Sequence, residues 1–201
     1  MKLMRKRKTK DPCLTCYLHK DLCICASIPI LNLRTKVWLM VHAKELKRTT
    51  NTGRLALQAL PNSEMKIRGV MNSTIDLSMA LDGSYHPLLL FPSDDAIELT
   101  ESFIARLDKP VLLVVPDGNW RQASKVHHRH PEFKNIQRVV INATNTSTDF
   151  LRKETTENGM ATLQAMAYAL GAIEGPNVQT ALLDLYNLKL KQTLKGRGQI
   201  K

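Results

Sequence analysis

Four cysteines lie within thirteen residues near the N-terminus, at Cys13, Cys16, Cys23 and Cys25, and the rest of the chain contains none. Their spacing, C-x2-C-x6-C-x-C, allows four thiolates to converge on a tetrahedral metal ion with no open position, which is typical of structural zinc. Disulfides would need an oxidising compartment, which nothing in the sequence indicates. We therefore predict a structural zinc ion in a small cysteine segment. An iron–sulfur cluster, or His19 in place of one cysteine, is the alternative.

A second group of polar residues follows an apolar run. Asp117, Gly118, Asn119 and Trp120 come shortly after Val111–Val115. A carboxylate in this place could accept a proton, a glycine lets the backbone approach a ligand closely, and an indole can stack on a base. The same residues could instead begin a helix, with Asp or Asn as N-cap and Trp in the core, and spacing alone slightly favours that alternative.

Two further polar sets precede predicted helices. His42 and Glu45 stand ahead of residues 51–54, where the free N–H groups of a helix start could hold an anion. Arg152 stands ahead of residues 159–165, a loop that leads into another helix. Its guanidinium could bind a carboxylate or a phosphate, or it could be an ordinary surface charge.

Basic residues are concentrated at the two ends of the chain. The formal net charge of +11 equals the six bases in residues 1–10 and the five in residues 189–201, and neither end has an acidic residue. The body between them is therefore formally neutral. This distribution favours two arms that bind the phosphates of a nucleic acid over a pair of solvated tails.

The elements that must position these residues alternate between strand and helix. We predict strands over Lys36–His42, Lys66–Val70, Pro87–Phe91, Val111–Val115 and Arg138–Asn142. We predict helices over Thr52–Leu60, Asp94–Leu107, Trp120–His128, Ala161–Glu174 and Val178–Leu194. Ser93 is the expected N-cap of the second helix, and Gly175-Pro176 is the expected stop between the last two.

Three of the predicted strands are continuous apolar runs, which is typical of strands buried on both faces. The sequence therefore predicts an α/β fold with a mostly parallel sheet and helices on both faces. In such sheets ligands bind beyond the carboxyl ends of the strands, here residues 91–93 and 116–120. We divide the chain into a basic arm (1–12), a zinc-binding segment (13–29), a catalytic domain (30–195) and a basic tail (196–201).

The composition excludes several classes of protein. With 43% hydrophobic and 23% charged residues, the chain is neither disordered nor collagen-like. Apolar runs such as Val111–Val115 fall far short of the roughly 20 residues that span a bilayer. Residues 1–10 are not followed by the apolar segment of a secretory signal. We therefore expect a cytoplasmic protein with no membrane contact, and nothing indicates an obligate protein partner.

Taken together, these motifs resemble the DTW-domain family. The resemblance runs in order from about Cys13 to about Gly175, and although each motif alone is weak, five in order are specific. The motifs are the cysteine segment ending in Ile28-Pro29, His42 with Glu45 and residues 51–54, Leu90-Phe91-Pro92, residues 117–123, and Leu151-Arg152 with residues 162–165.

This resemblance implies a SPOUT-like parallel sheet with a knotted C-terminal part. It also implies a tRNA-uridine aminocarboxypropyltransferase, which moves the 3-amino-3-carboxypropyl group of S-adenosylmethionine to N3 of a uridine in tRNA. The product would be acp3U, in the variable loop as in bacterial members, and 5′-methylthioadenosine would be released. The alternatives are a SPOUT-like RNA methyltransferase that uses the same cofactor and a zinc-bearing RNA-binding protein without catalysis.

On the matching positions, the resemblance implies catalytic roles for Asp117 and Trp120. The residues expected at the cofactor are Leu90, Phe91, Pro92, Val115, Pro116, Gly118, Asn119, Arg152 and Thr162. The residues expected at RNA are Arg5, Lys6, Arg7, Lys8, Arg54, Arg121, Lys125 and Arg129. The chain departs from the family at Asn119, where Thr is usual, so a role for a hydroxyl is not carried over. Gln164 stands where an acid is common, so a charged role is not carried over there either.

Overall fold

The computed structural model describes residues 11–46, 48, 50–70, 75–80, 82–118, 123, 126, 130, 133–142 and 160–200. Its strands are β1 (Lys36–His42), β2 (Ser63–Arg68), β3 (His86–Leu90), β4 (Ile97–Glu98), β5 (Val111–Asp117) and β6 (Gln137–Val140). Its α-helices are α1 (Gly53–Ala59), α2 (Glu101–Ile104), α3 (Thr162–Glu174) and α4 (Pro176–Gly196). Short 3-10 helices cover Lys20–Leu22, Cys25–Ser27, Ala43–Glu45 and Ser78–Ala80.

All six strands form one parallel sheet in the order β2-β1-β5-β3-β6-β4. The strand β5 enters between β1 and β3, so segments far apart in sequence meet at the centre of the sheet. In the β1–β5 register, Val41 pairs with Asp117. The polar residues that follow β1 and β5 therefore emerge side by side at the carboxyl edge, as the parallel prediction requires.

Successive residues of the central strands pack into different cores. Leu39 belongs to a core with α1, α3, α4 and the cysteine segment, whereas its neighbours Trp38 and Met40 belong to a second core on the opposite face. Val126 and Phe133 cover that second face. Because both faces are buried, the inner positions Val37–Val41 and Val111–Val115 are all apolar, which confirms the interpretation of the continuous runs.

The predicted helix over Asp94–Leu107 is wrong in its first half. Residues Ile97–Glu98 form β4 and pair with β6, and the helix is limited to Glu101–Ile104. Its N-cap is Thr100, whose hydroxyl accepts a hydrogen bond from the Phe103 N–H at 3.2 Å, and not Ser93. Pairing with β4 gives hydrogen-bond partners to backbone groups of β6, which would lack them if Ile97–Glu98 were helical.

The second predicted strand is displaced along the chain. It runs from Ser63 to Arg68 and not from Lys66 to Val70. Gly69, at a φ of 78°, turns the chain immediately after it. A Cβ at Gly69 would also come within 2.7 Å of the His42 ring, so a glycine is needed at this crossing.

The two C-terminal helices are confirmed as α3 and α4, and Gly175 separates them at a φ of 107°. The predicted helix over Trp120–His128 lies mostly outside the described residues, although Ala123 and Val126 are helical. The knotted C-terminal part stays a prediction. Among the described helices, none combines the length and apolar character needed to cross a membrane.

Candidate functional site

A buried carboxylate marks the carboxyl edge of the sheet. Asp117 is the last residue of β5 and is only 5% exposed. Burying a carboxylate is costly unless hydrogen bonds compensate, so its partners are informative. Its Oδ1 accepts a hydrogen bond from the Thr162 hydroxyl at 2.6 Å, and its Oδ2 accepts one from the Asn51 side-chain amide.

These two partners come from different elements. Asn51 precedes α1, and Thr162 is the first residue of α3. The described partners of the Asp117 carboxylate are thus side chains that the fold brings to it from elsewhere. This arrangement favours a functional carboxylate over the helix N-cap that the spacing alone suggested.

A hydrogen bond connects the N-terminal ends of α1 and α3 next to this carboxylate. The Thr52 hydroxyl accepts a hydrogen bond from the Leu163 N–H at 3.2 Å. A Cβ at Gly53 would lie 2.9 Å from Leu39 and 3.2 Å from the Thr162 methyl group, so a glycine permits this close approach. The Asn51 and Thr162 side chains are therefore held at fixed positions around Asp117.

Gln164 has a local structural role. Its side-chain oxygen accepts a hydrogen bond from the Ala161 N–H at 3.1 Å at the start of α3. An amide accepts this bond as an acid would, which explains how a glutamine can stand at this position.

Arg54 links the site to the cysteine segment. Its guanidinium lies 4.7 Å from the centroid of the Tyr17 ring and donates to the Leu46 carbonyl at 2.8 Å. Its backbone N–H donates to the Asn51 side-chain oxygen at 3.0 Å. Arg54 was predicted to contact RNA, and the structure places it half-buried beside the chain that leads to Asp117.

The four cysteines converge as the sequence predicted. Their sulfur atoms all lie within 4.8 Å of one another, with 3.5 Å between Cys13 and Cys25 and 3.8 Å between Cys16 and Cys23. All four are free thiols. Zinc–sulfur bonds of about 2.3 Å in a tetrahedron place the sulfurs about 3.8 Å apart, so the cluster fits zinc.

The thiols have unequal proton affinities. Backbone hydrogen bonds from Cys16 and then Thr15 lower the pKa of Cys13 to about 6. Burial, followed by hydrogen bonds with the neighbouring thiols, raises the pKa of Cys25 to about 12. A metal ion binds thiolates, so loading of this cluster would release protons.

Lys189 does not belong to the basic C-terminal end. It lies on α4, is 2% exposed, and its ammonium donates to the Cys16 carbonyl. Burial lowers its pKa to about 8, and the nearby thiols Cys16, Cys13 and Cys25 oppose that shift. Lys189 is therefore not among the exposed bases that could bind phosphate at the C-terminal end.

The residues predicted at the cofactor differ in accessibility. Leu90 and Phe91, at the end of β3, are nearly buried, and Pro92 is exposed. Pro116 is half-buried next to Asp117, whereas the Val115 side chain is 2% exposed within the core. Gly118 follows Asp117 at a φ of 148°, a conformation that favours glycine.

Several predicted site residues lie outside the described part of the chain. They are Arg5, Lys6, Arg7, Lys8, Asn119, Trp120, Arg121, Lys125, Arg129 and Arg152. Their roles at the cofactor, at RNA or in catalysis stay predictions.

Asn51 and Tyr17 were given no individual role from the sequence, and Lys189 was counted among the bases of the C-terminal arm. Asn51 was part of a recognised motif, but its pairing with Asp117 depends on the neighbouring positions of β1 and β5. Tyr17 belongs to the cysteine segment and has a φ of 58°, a backbone conformation that sequence patterns do not reveal. Lys189 follows Leu182 by seven residues, so its place on the buried helix face could have been found from spacing.

Comparison with known proteins gives a consistent result. The model of the DTW domain family matches residues 10–194. A curated relative named tRNA-uridine aminocarboxypropyltransferase 2, from Macaca fascicularis, is 25% identical over 183 residues, which cover 88% of this chain and 61% of that protein. Relatives of the same name from Mus musculus and Drosophila melanogaster are 25% and 27% identical; each alignment covers 87% of this chain, with 60% and 71% of those proteins.

The chain spans about three fifths of the length of the macaque and mouse relatives. No solved structure matches it.

Proposed function

This chain belongs to the DTW domain family, and from that premise we propose that it is a tRNA-uridine aminocarboxypropyltransferase. The names of three curated relatives support this activity. The observation that carries the proposal to particular residues is the buried Asp117 carboxylate, held by Asn51 and Thr162 at the carboxyl edge of a parallel sheet. Ligands bind at this edge in such folds.

We infer that the donor is S-adenosylmethionine. The described residues fit it, because the apolar Leu90 and Phe91 end the strand next to β5, and the Asp117 carboxylate suits a cationic ligand. When bound, S-adenosylmethionine supplies an aminocarboxypropyl group on its sulfonium, and 5′-methylthioadenosine leaves with the electron pair of the broken S–C bond.

Asp117 is the proposed general base. Uridine N3 carries a proton and is a poor nucleophile until that proton is removed or shared. The Asp117 carboxylate would accept the N3 proton as N3 forms its bond to the transferred carbon. Asn51 and Thr162 each donate to one carboxylate oxygen, so they hold the carboxylate in one orientation.

Trp120 is the proposed stacking platform for the uridine, and Arg152 the proposed partner of the donor's carboxylate. A methyltransferase would present the methyl carbon of the same cofactor to the base. The pose of the cofactor therefore decides the product, and the proposed cofactor residues serve to set that pose.

We further propose that the cysteine cluster holds a structural zinc ion through Cys13, Cys16, Cys23 and Cys25. The sulfur spacing supports this assignment. Four thiolates fill the tetrahedron and leave no position for substrate, so the ion would have no part in transfer. Its proposed role is to fix the segment that carries Tyr17 against Arg54.

The proposed substrate is tRNA, modified at uridine N3 to acp3U in the variable loop. The basic residues of positions 1–10 and 191–201 would bind phosphates, and the residues around Asp117 would select the base. A tRNA substrate and reduced cysteines both fit the cytoplasm, where we place the protein.

A double-label experiment tests the reaction. Wild-type protein is incubated with tRNA and with S-adenosylmethionine that is radiolabelled either in its carboxyl group or in its methyl group. We expect label to enter tRNA from the carboxyl-labelled donor alone. Entry from the methyl-labelled donor would indicate a methyltransferase, and entry from neither would indicate an RNA-binding protein without catalysis.

A further inference from the structure

A buried lysine faces the cysteine cluster from the C-terminal helix. Lys189 lies on α4 at 2% exposure, whereas Lys191 on the same helix is exposed. The ammonium of Lys189 donates to the backbone carbonyl of Cys16, one of the four cysteines. Among the described residues, none of the ion pairs includes Lys189. A buried ammonium without a counter-charge is unfavourable, so its position beside the cluster requires an explanation.

The chemistry of the cluster supplies that counter-charge. Four thiolates carry more negative charge than a divalent metal ion neutralises, so a loaded cluster keeps a net negative charge. We propose that Lys189 is the counter-charge of the metal-loaded cysteine cluster. It thereby couples metal binding to the packing of α4 against the cysteine segment. This inference rests on the zinc site proposed above and does not depend on the transferase reaction.

Packing holds the lysine in this place. Leu18 and Ile24 of the cysteine segment share one core with Leu185 and Leu190 of α4. Near the end of α4, a Cβ at Gly196 would lie 3.1 Å from the Leu22 side chain. The cysteine segment and α4 therefore lie in close contact on both sides of Lys189, and the ammonium has a fixed position relative to Cys16.

Two substitutions separate charge from hydrogen bonding. Lys189→Met keeps an unbranched apolar side chain but removes both the charge and the donor. Lys189→Gln removes the charge and retains an N–H donor for the Cys16 carbonyl. Lys191→Met, a change of the same type at an exposed position of the same helix, is the matched control.

The full-length variants are compared with wild type for zinc affinity, by competition with a chromogenic chelator, and for thermal unfolding with and without zinc. Outer partners of a metal site typically contribute 10- to 100-fold to metal affinity, so we expect both Lys189 variants to bind zinc about 10- to 100-fold more weakly. Lys191→Met should stay within about two-fold of wild type, because screened surface charges contribute little. Without zinc, Lys189→Met should be at least as stable as wild type, since a buried charge is gone.

Each contrary result has a distinct meaning. Wild-type affinity in both Lys189 variants would overturn the proposal, and so would wild-type affinity in Lys189→Gln with weak binding in Lys189→Met, since the hydrogen bond would then be the contribution. If Lys189→Met is destabilised equally with and without zinc, Lys189 contributes only packing, and the proposal is overturned as well. Absence of zinc binding by the wild type would overturn the zinc site itself and leave the transferase proposal standing.

Discussion

Replacing Thr162 with valine removes one of the two described hydrogen bonds that hold the Asp117 carboxylate. Thr162→Val deletes the hydroxyl that donates to Asp117 Oδ1 at 2.6 Å. The variant keeps a branched side chain, including the methyl group that packs near Gly53. The change therefore acts on the carboxylate and leaves the contact between α1 and α3 filled.

The size of the effect follows from the type of bond. A hydrogen bond to a charged group contributes about 1.5–3 kcal/mol, and each 1.36 kcal/mol corresponds to a factor of about ten in rate. If the full contribution is expressed in the transition state, the transfer rate should fall by about 10- to 150-fold. The affinity for tRNA should change little, because Thr162 is half-buried and lies beneath the carboxylate.

The assay is single-turnover transfer with excess enzyme, saturating donor and labelled tRNA, together with a separate tRNA-binding measurement. Thr162→Ser is the matched control, since it keeps the hydroxyl and loses only the methyl group. We expect Thr162→Ser to stay within a few-fold of wild type. A Thr162→Val rate equal to that of Thr162→Ser would show that this hydroxyl does not orient a catalytic carboxylate.

Three other changes have defined outcomes. Gly53→Ala places a methyl group within 2.9 Å of Leu39, so the free energy of chemical unfolding should fall by about 1–3 kcal/mol. Gln58→Ala, on the exposed side of the same helix, should change that free energy little. Cys23→Ser should abolish zinc binding by metal analysis and increase hydrogen exchange in residues 11–29 and in the last turns of α4, while the central strands stay protected. Deleting residues 1–10 should flatten the slope of log affinity for tRNA against log salt by roughly 1.4–2.7, if two or three phosphate contacts are lost; an unchanged slope would mean that this arm does not bind RNA.

The parallel sheet was predictable because strands that are buried on both faces have continuous apolar sequences. The inner residues of β1 each face one of two cores, so Trp38, Leu39 and Met40 are all apolar. The short strand β4 was not predictable in this way. Ser93 and Asp94 give a strong local signal for a helix, but the pairing of Ile97 with Val139 depends on a strand about forty residues later.

Asp117 could be chosen as a candidate from the sequence, but its partners could not. It follows an apolar run, although spacing alone slightly favoured a helix N-cap, and its catalytic role stays a prediction. Its partners Asn51 and Thr162 lie 66 and 45 residues away in sequence, and they meet it because of the strand order. Lys189 shows the limit of charge counting, because a basic residue contributes to the net charge whether it is exposed or buried.

The most direct test of the account is mass spectrometry of the nucleosides of tRNA after incubation with S-adenosylmethionine and either the wild type or Asp117→Ala. With the wild type, we expect one uridine to gain an aminocarboxypropyl group on N3. With Asp117→Ala, this product should form about 10²- to 10⁴-fold more slowly, the usual contribution of a general base. A gain of a methyl group, or no gain with folded wild-type protein, would exclude the proposed transferase; an Asp117→Ala rate within a few-fold of wild type would exclude Asp117 as its general base.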